Sequence, residues 1–161
     1  MSEQQKTSKG IQDLGSILSS LDPELCPLEW YFTKIQCKDE NRVPEMMAAV
    51  YAIRVSPIAT FIEREGITLV VQTEDLSTLQ HHFAADGGFE FSETSFSRIT
   101  LLVHSSLDAV GLTAVVTAKL TERNISANVV AGYFHDHFFV QSTRASEAMD
   151  TLRALASEKA L

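Results

Sequence analysis

Apolar positions recur along the chain in two rhythms, one helical and one alternating. Ile11, Leu14, Ile17, Leu18 and Leu21 fall on one face of a helix. Asp22-Pro23 ends it, because proline disfavours helix at the residue before it. Residues 28–37 are rich in Trp, Tyr, Phe and Ile with partial alternation, which predicts a strand. The charged stretch 38–42 predicts a loop, and 44–52 a short helix with proline in its first turn. Two β-prone runs, 57–63 and 67–72, flank Arg64-Glu65-Gly66 and predict a hairpin. A helix over 74–83, a break at Asp86-Gly87-Gly88, a short strand at 89–91 and a linker at 92–95 follow.

The second half runs through the same order. Ile99, Leu101 and Val103 alternate with Thr100, Leu102 and His104, which predicts a strand. A helix over 111–123 carries Leu112, Val115, Val116 and Leu120 on one face, and Asn124 suits the left-handed cap after it. A strand over 126–133 turns at His135-Asp136-His137 and returns over 138–141. Thr143 is placed to cap the last helix, whose stripe is Ala145, Ala148, Met149, Leu152, Leu155 and Ala156. Both halves therefore read β-α-β-β-α, the first with a short final strand. The second has no residues for a fourth strand after its last helix, so that edge is left to the first unit or to another chain. The fold class is α+β: two tandem ferredoxin-like (βαββαβ) units with antiparallel sheets and helices on one face. The expected division is a disordered tail over 1–10, a first unit with its N-terminal helix over 11–94, and a second over 95–161.

Composition adds exclusions. The chain has 161 residues and 45% hydrophobic content, enough for a real core. No run approaches the eighteen apolar residues of a membrane span, so no membrane partner is expected. Met1 to Lys9 is polar and lacks the apolar region of a signal peptide, which points to a cytoplasmic protein. Cys26 and Cys37 form no ligand pattern and are expected as reduced thiols. Residues 1–95 carry 7 Lys and Arg against 15 Asp and Glu, which holds the whole net charge of −8. That acidic half repels phosphate backbones, so nucleic acid is not an expected partner. No G-x-S-x-G, Walker or G-x-G-x-x-G motif occurs, and no catalytic residue or cofactor is assigned.

Two stretches offer chemistry. In the first, residues 105–113, a strand ends and a helix begins near Gly111. The first N–H groups of a helix lack internal partners and carry the positive end of its dipole, so they can hold a carboxylate. Gly111 permits close approach to the backbone, Asp108 can accept from an α-amino group, and Ser105, Ser106 and Thr113 offer hydroxyls. Asn128 adds an amide from the neighbouring strand. The competing view is structural: Asp108 or Ser106 caps the helix and Gly111 only permits the turn. The second stretch is His135-Asp136-His137, whose histidines at i, i+2 could share a metal or work as an acid/base pair. Two ligands do not make a site, no third is fixed by spacing, and a hairpin turn favours such residues anyway. The aromatics around it, Tyr133, Phe134, Phe138 and Phe139, read as core or interface.

The run Leu107-Asp108-Ala109-Val110-Gly111-Leu112-Thr113, followed by Leu120 and Ile125-Ser126-Ala127-Asn128, resembles the ACT domain. Glu65-Gly66-Ile67-Thr68-Leu69-Val70 in the first half matches the E-G-x-T-L-V element of small two-ACT proteins. The resemblance runs from about residue 11 to the C-terminus, with the segment 38–56 longer than that group's usual connection. ACT domains bind small effectors, often amino acids, and pass the signal to an enzyme. The resemblance therefore implies a non-enzymatic regulatory protein with an amino-acid ligand at the junction of ACT units. Ser105, Ser106, Leu107, Asp108, Val110, Gly111, Leu112 and Thr113 would form one wall, and Asn128, Val129 and Val130 the other. A homodimer and a separate protein target are its expected partners. The alternatives are a ligand-free dimerisation module and a metal-dependent enzyme using His135 and His137.

Overall fold

The computed structural model describes residues 10–85 and 88–159. The expected tail, Met1 to Lys9, lies outside them, as do Asp86 and Gly87 of the expected break. In chain order the elements are α1 (Leu14–Ser19), β1 (Pro23–Gln36), α2 (Val43–Ala52), β2 (Ala59–Glu63), β3 (Gly66–Gln72), α3 (Leu76–Phe83), β4 (Phe89–Phe91), β5 (Phe96–Leu101), α4 (Leu112–Glu122), β6 (Ala127–Ala131), β7 (Asp136–Gln141) and α5 (Ala145–Lys159). They form two compact units. One is Cys26–Arg98; the other joins the N-terminal stretch up to Leu25 to the chain from Ile99 onward.

The unit Cys26–Arg98 is a full βαββαβ fold with antiparallel strands in the order β2-β3-β1-β4. Thr33 lies opposite both Leu69 and Phe91, and Ile35 opposite Ile67 and Phe89. Alternation then sends Ile35, Ile67, Leu69, Val71 and Phe89 to one face, where they meet Val50 of α2 and Leu79 of α3.

The C-terminal unit orders its own strands β5-β7-β6. Phe138 and Val140 of β7 and Ile99 and Leu101 of β5 bury against Leu112, Val116 and Leu120 of α4 and Ala148, Met149, Leu152 and Leu155 of α5. Ile17, Leu18 and Leu21 complete this core. The helix expected to open the first unit thus packs in the second, because its apolar face is used there. Asp13 caps α1, accepting from the Ser16 N–H at 2.8 Å. Beyond α1, Leu102 donates its N–H to the Asp22 carbonyl at 2.9 Å, so the chain entering β1 meets the end of β5. The edge for which this unit has no fourth strand after α5 is met by the N-terminal segment at Asp22.

Several boundaries move. β1 starts at Pro23 rather than near residue 28, a first-strand position where proline sacrifices no ladder donor. Ile11, expected on the helix face, lies outside α1 and pairs with Ser105 through an isolated parallel bridge. β5 stops at Leu101, and Ser105 turns back to donate to the Val103 carbonyl at 3.1 Å. The β6–β7 turn is closed by Gly132 N–H donating to the His135 carbonyl at 3.0 Å. A Cβ at Gly132 would sit 2.8 Å from that oxygen. Tyr133 and Phe134 therefore form the tip, both 64% exposed rather than core, while His135 leads into β7 and Asp136 and His137 belong to it. Thr143 sits inside a 3-10 turn, Ser142–Arg144, and not at the start of α5. Asn124 takes the expected left-handed backbone, with φ 54°. Among the described residues no helix is long and apolar enough to cross a membrane.

Candidate functional site

The site lies within the C-terminal unit, where the N-terminal segment shapes the turn before α4. Ile11 donates to the His104 carbonyl and accepts from the Ser106 N–H, both at 2.9 Å. Ser106 then closes a local turn: its carbonyl accepts from Ala109 N–H at 2.9 Å and its hydroxyl from Asp108 N–H at 3.3 Å. Gly111 is the N-cap of α4 with φ 103°, a left-handed conformation that glycine adopts without strain. A Cβ there would stand 3.0 Å from Leu14 Cδ2, so the side of Gly111 that lacks a side chain is occupied by α1.

Among the described residues no side chain caps α4. Its first helical bond is Val115 N–H to the Gly111 carbonyl, 2.9 Å. The N–H groups of Leu112, Thr113 and Ala114 thus have no intrahelical acceptor, and no described side chain caps the positive end of the helix. Neither Asp108 nor Ser106 acts as the cap that a purely structural turn would supply.

In front of this start lies a cleft of about 90 Å³ lined by Ser105, Ser106, Leu107, Ala109, Leu112, Thr113, Ala131, Gly132 and Asp136. Asp136 faces it because it shares the face of β7 with Phe138 and Val140, at the strand's first position and opposite Ala131. Burial pushes the Asp136 carboxyl above its ordinary value, and the neighbouring His135 charge partly offsets that.

The expected residues divide into three groups. Ser105, Ser106, Leu107, Leu112 and Thr113 line the cleft together. Gly111 lies behind it against Leu14, while Asp108 is exposed and Val110 is 84% exposed outside it. Asn128, Val129 and Val130 lie on β6 opposite Phe139, Phe138 and His137 and do not line it. Sequence reasoning missed Ala109, Ala131, Gly132 and Asp136. The alternation of Asp136 with Phe138 and Val140 was the available signal for the last.

His137 is engaged elsewhere, with Nδ1 2.9 Å from the Thr100 hydroxyl, and His135 Nδ1 is buried with no hydrogen-bond partner among the described residues. Among the described residues no group of three His, Cys, Asp or Glu side chains could hold a metal ion. Leu107, Val110, Tyr133 and Phe134 are exposed apolar side chains of this unit. Tyr133 and Phe134 meet edge-on at 5.1 Å.

Two ACT-domain family models match the sequence, over residues 9–85 and 93–154. No curated protein matches it. Among solved structures, a Vibrio cholerae protein of unknown function, described as a possible transport protein, is 40% identical, with 92% of this chain and 99% of that one covered and a TM-score of 0.68. The ligand-free regulatory subunit of aspartate kinase from Thermus thermophilus is 8% identical, with 83% and 95% covered and a TM-score of 0.68. Aspartokinase III from E. coli, in complex with aspartate and ADP, is 14% identical, with 84% of this chain and 32% of that one covered and a TM-score of 0.66. At these low identities the two aspartokinase likenesses speak to the fold alone. With two ACT models along its length and this 40% identical relative matched almost end to end, the chain belongs to the family of two-ACT-domain proteins.

Proposed function

We propose that this protein is a non-enzymatic cytoplasmic receptor whose ligand is an amino acid, bound in the cleft before α4. Membership of the ACT family supports a regulatory, ligand-binding role in general. The observation that carries the finer reading is the uncapped start of α4 opening into a cleft with three hydroxyls, Ser105, Ser106 and Thr113. Backbone donors there suit a carboxylate, and binding would favour one arrangement of the protein over another. We further propose that the cleft is completed by a second ACT unit, as in a homodimer, and that the signal passes to a separate protein. A panel of the twenty amino acids at millimolar concentration in a thermal-shift assay tests this. A ligand at one hundred times its Kd stabilises by about 2.7 kcal/mol, a shift such an assay detects. No shift with any of them contradicts the receptor reading.

A second reading, a ligand-free dimerisation module, draws on the exposed Leu107, Val110, Tyr133 and Phe134. It predicts a dimer by sedimentation whose melting temperature no amino acid alters.

A further inference from the structure

We propose that residues 10–12 are a strap on the cleft wall, and that docking of the strap is linked to occupancy of the cleft. The inference rests on the receptor reading and adds to it the regulation of the site: the N-terminal segment carries the ligand state away from the cleft.

The first argument is how the strap is held. Ile11 donates to the His104 carbonyl and accepts from the Ser106 N–H, both at 2.9 Å, and bridges Ser105 in parallel. A Cβ on Gly10 would stand 2.5 Å from the Ser105 carbonyl carbon and from the Ser106 nitrogen, so the strap lies backbone against backbone. Side chains add little: Ile11 is 37% exposed, and Gln12 is exposed. Burial begins only past Asp13, which caps α1, where Ile17 and Leu18 enter the core. The strap is thus a short surface pairing tied to a fixed helix. Exposed backbone bonds with few apolar contacts lie at the low-stability end of a fold, and they open while the core stays shut.

The second argument is what the strap holds. Its partners Ser105 and Ser106 line the cleft. When it leaves, the Ser106 N–H and the His104 carbonyl lose their partners, and that wall loses its fixed shape. Leu14, the first residue of α1, stands against Gly111 at the other end of the same turn. One segment therefore braces the turn at both ends, releasable at one and anchored at the other. A ligand that binds the braced wall better than the loose one must favour the docked strap. Docking must then favour the ligand by the same factor.

Amide hydrogen exchange of the full chain, alone and with each of the twenty amino acids, tests this. In the free protein Ile11 and Ser106 should exchange faster than Leu152, which is fully buried within α5. An amino acid that raises Tm should slow Ile11 and Ser106 by at least about fivefold, the low end of coupling between sites. Gly10→Ala, whose Cβ displaces the strap, should weaken binding of that amino acid by the same factor in calorimetric titration. The exchange comparison uses the unaltered protein and stands even if the variant misfolds. Protection of Ile11 and Ser106 equal to that of Leu152 in the free protein overturns the inference and leaves the receptor reading intact. So does an amino acid that raises Tm without slowing exchange at Ile11 and Ser106, or a folded Gly10→Ala protein that binds within twofold of the original. No change in Tm with any of the twenty overturns the receptor reading itself, and the inference with it.

Discussion

The two ACT units place a turn and a helix start at the same point of the fold, and they finish it differently. Between β1 and α2 the chain consumes its own donors. Asp39 accepts from the Asn41 N–H at 3.1 Å and from its side-chain amide at 2.9 Å. A 3-10 turn, Glu40–Arg42, then runs directly into α2, where proline removes another donor. Before α4 no described side chain does this: the N-cap is a glycine, and Leu112 and Thr113 of the first turn line a cleft. One start is closed by its own residues and the other is left available. Shared topology therefore does not imply a shared site. The difference lies in a few turn residues, and it is the reason to seek ligand chemistry in one unit first.

The comparison can be broken most severely through the two cores. Ile17 and Leu79 are both fully buried, one in each unit. Either change to alanine should cost about 2–5 kcal/mol by denaturant unfolding. Amide exchange should separate them: Ile17→Ala loosens α4, α5 and the turn before α4, whereas Leu79→Ala leaves that turn protected. Uniform loss of protection in both variants would show that the cores are not separable.

Gly111→Ala comes next. The left-handed backbone and the contact with Leu14 should together cost about 1–2 kcal/mol, read as a lowered denaturation midpoint. Amino-acid binding should weaken as the start of α4 shifts.

Asp136→Asn should act with the opposite sign on stability. The folded-state pKa of Asp136 is raised, so its ionised form is disfavoured by folding. Stability is lost as pH rises from the ordinary carboxylate value through the raised one, and not regained above it. Removing the charge should raise Tm slightly at neutral pH and flatten that part of the pH–Tm profile. A residue kept only for structure would lower Tm instead. The smallest effect is expected for the exposed Asp108→Asn, within about 0.5 kcal/mol of the unaltered protein and with binding within twofold.

Much of this architecture was legible in the letters. The stripe Ala145, Ala148, Met149, Leu152 and Leu155 buries as its spacing requires, and β2 and β3 meet around Arg64-Glu65. Local signals govern those elements. The destination of α1 was not legible, because an amphipathic face states that it is buried and not against what. The cleft was half legible for the same reason. Ser105, Ser106 and Thr113 sit beside the helix start in sequence, so the turn pointed to them. Asp136 reaches the cleft only through hairpin register, and Ile11 and Leu14 only through tertiary packing. Asp108 and Asn128 matched a motif, but exposure and strand position set them outside the cleft.

The contrast between the two helix starts is tested most directly by an amide-resolved NMR titration with each of the twenty amino acids. The account predicts saturable shifts concentrated at Ser105, Ser106, Leu112, Thr113 and Asp136, with Asn41 to Glu45 unmoved. Shifts centred on the start of α2, or none at saturating concentration of any of the twenty, would contradict it.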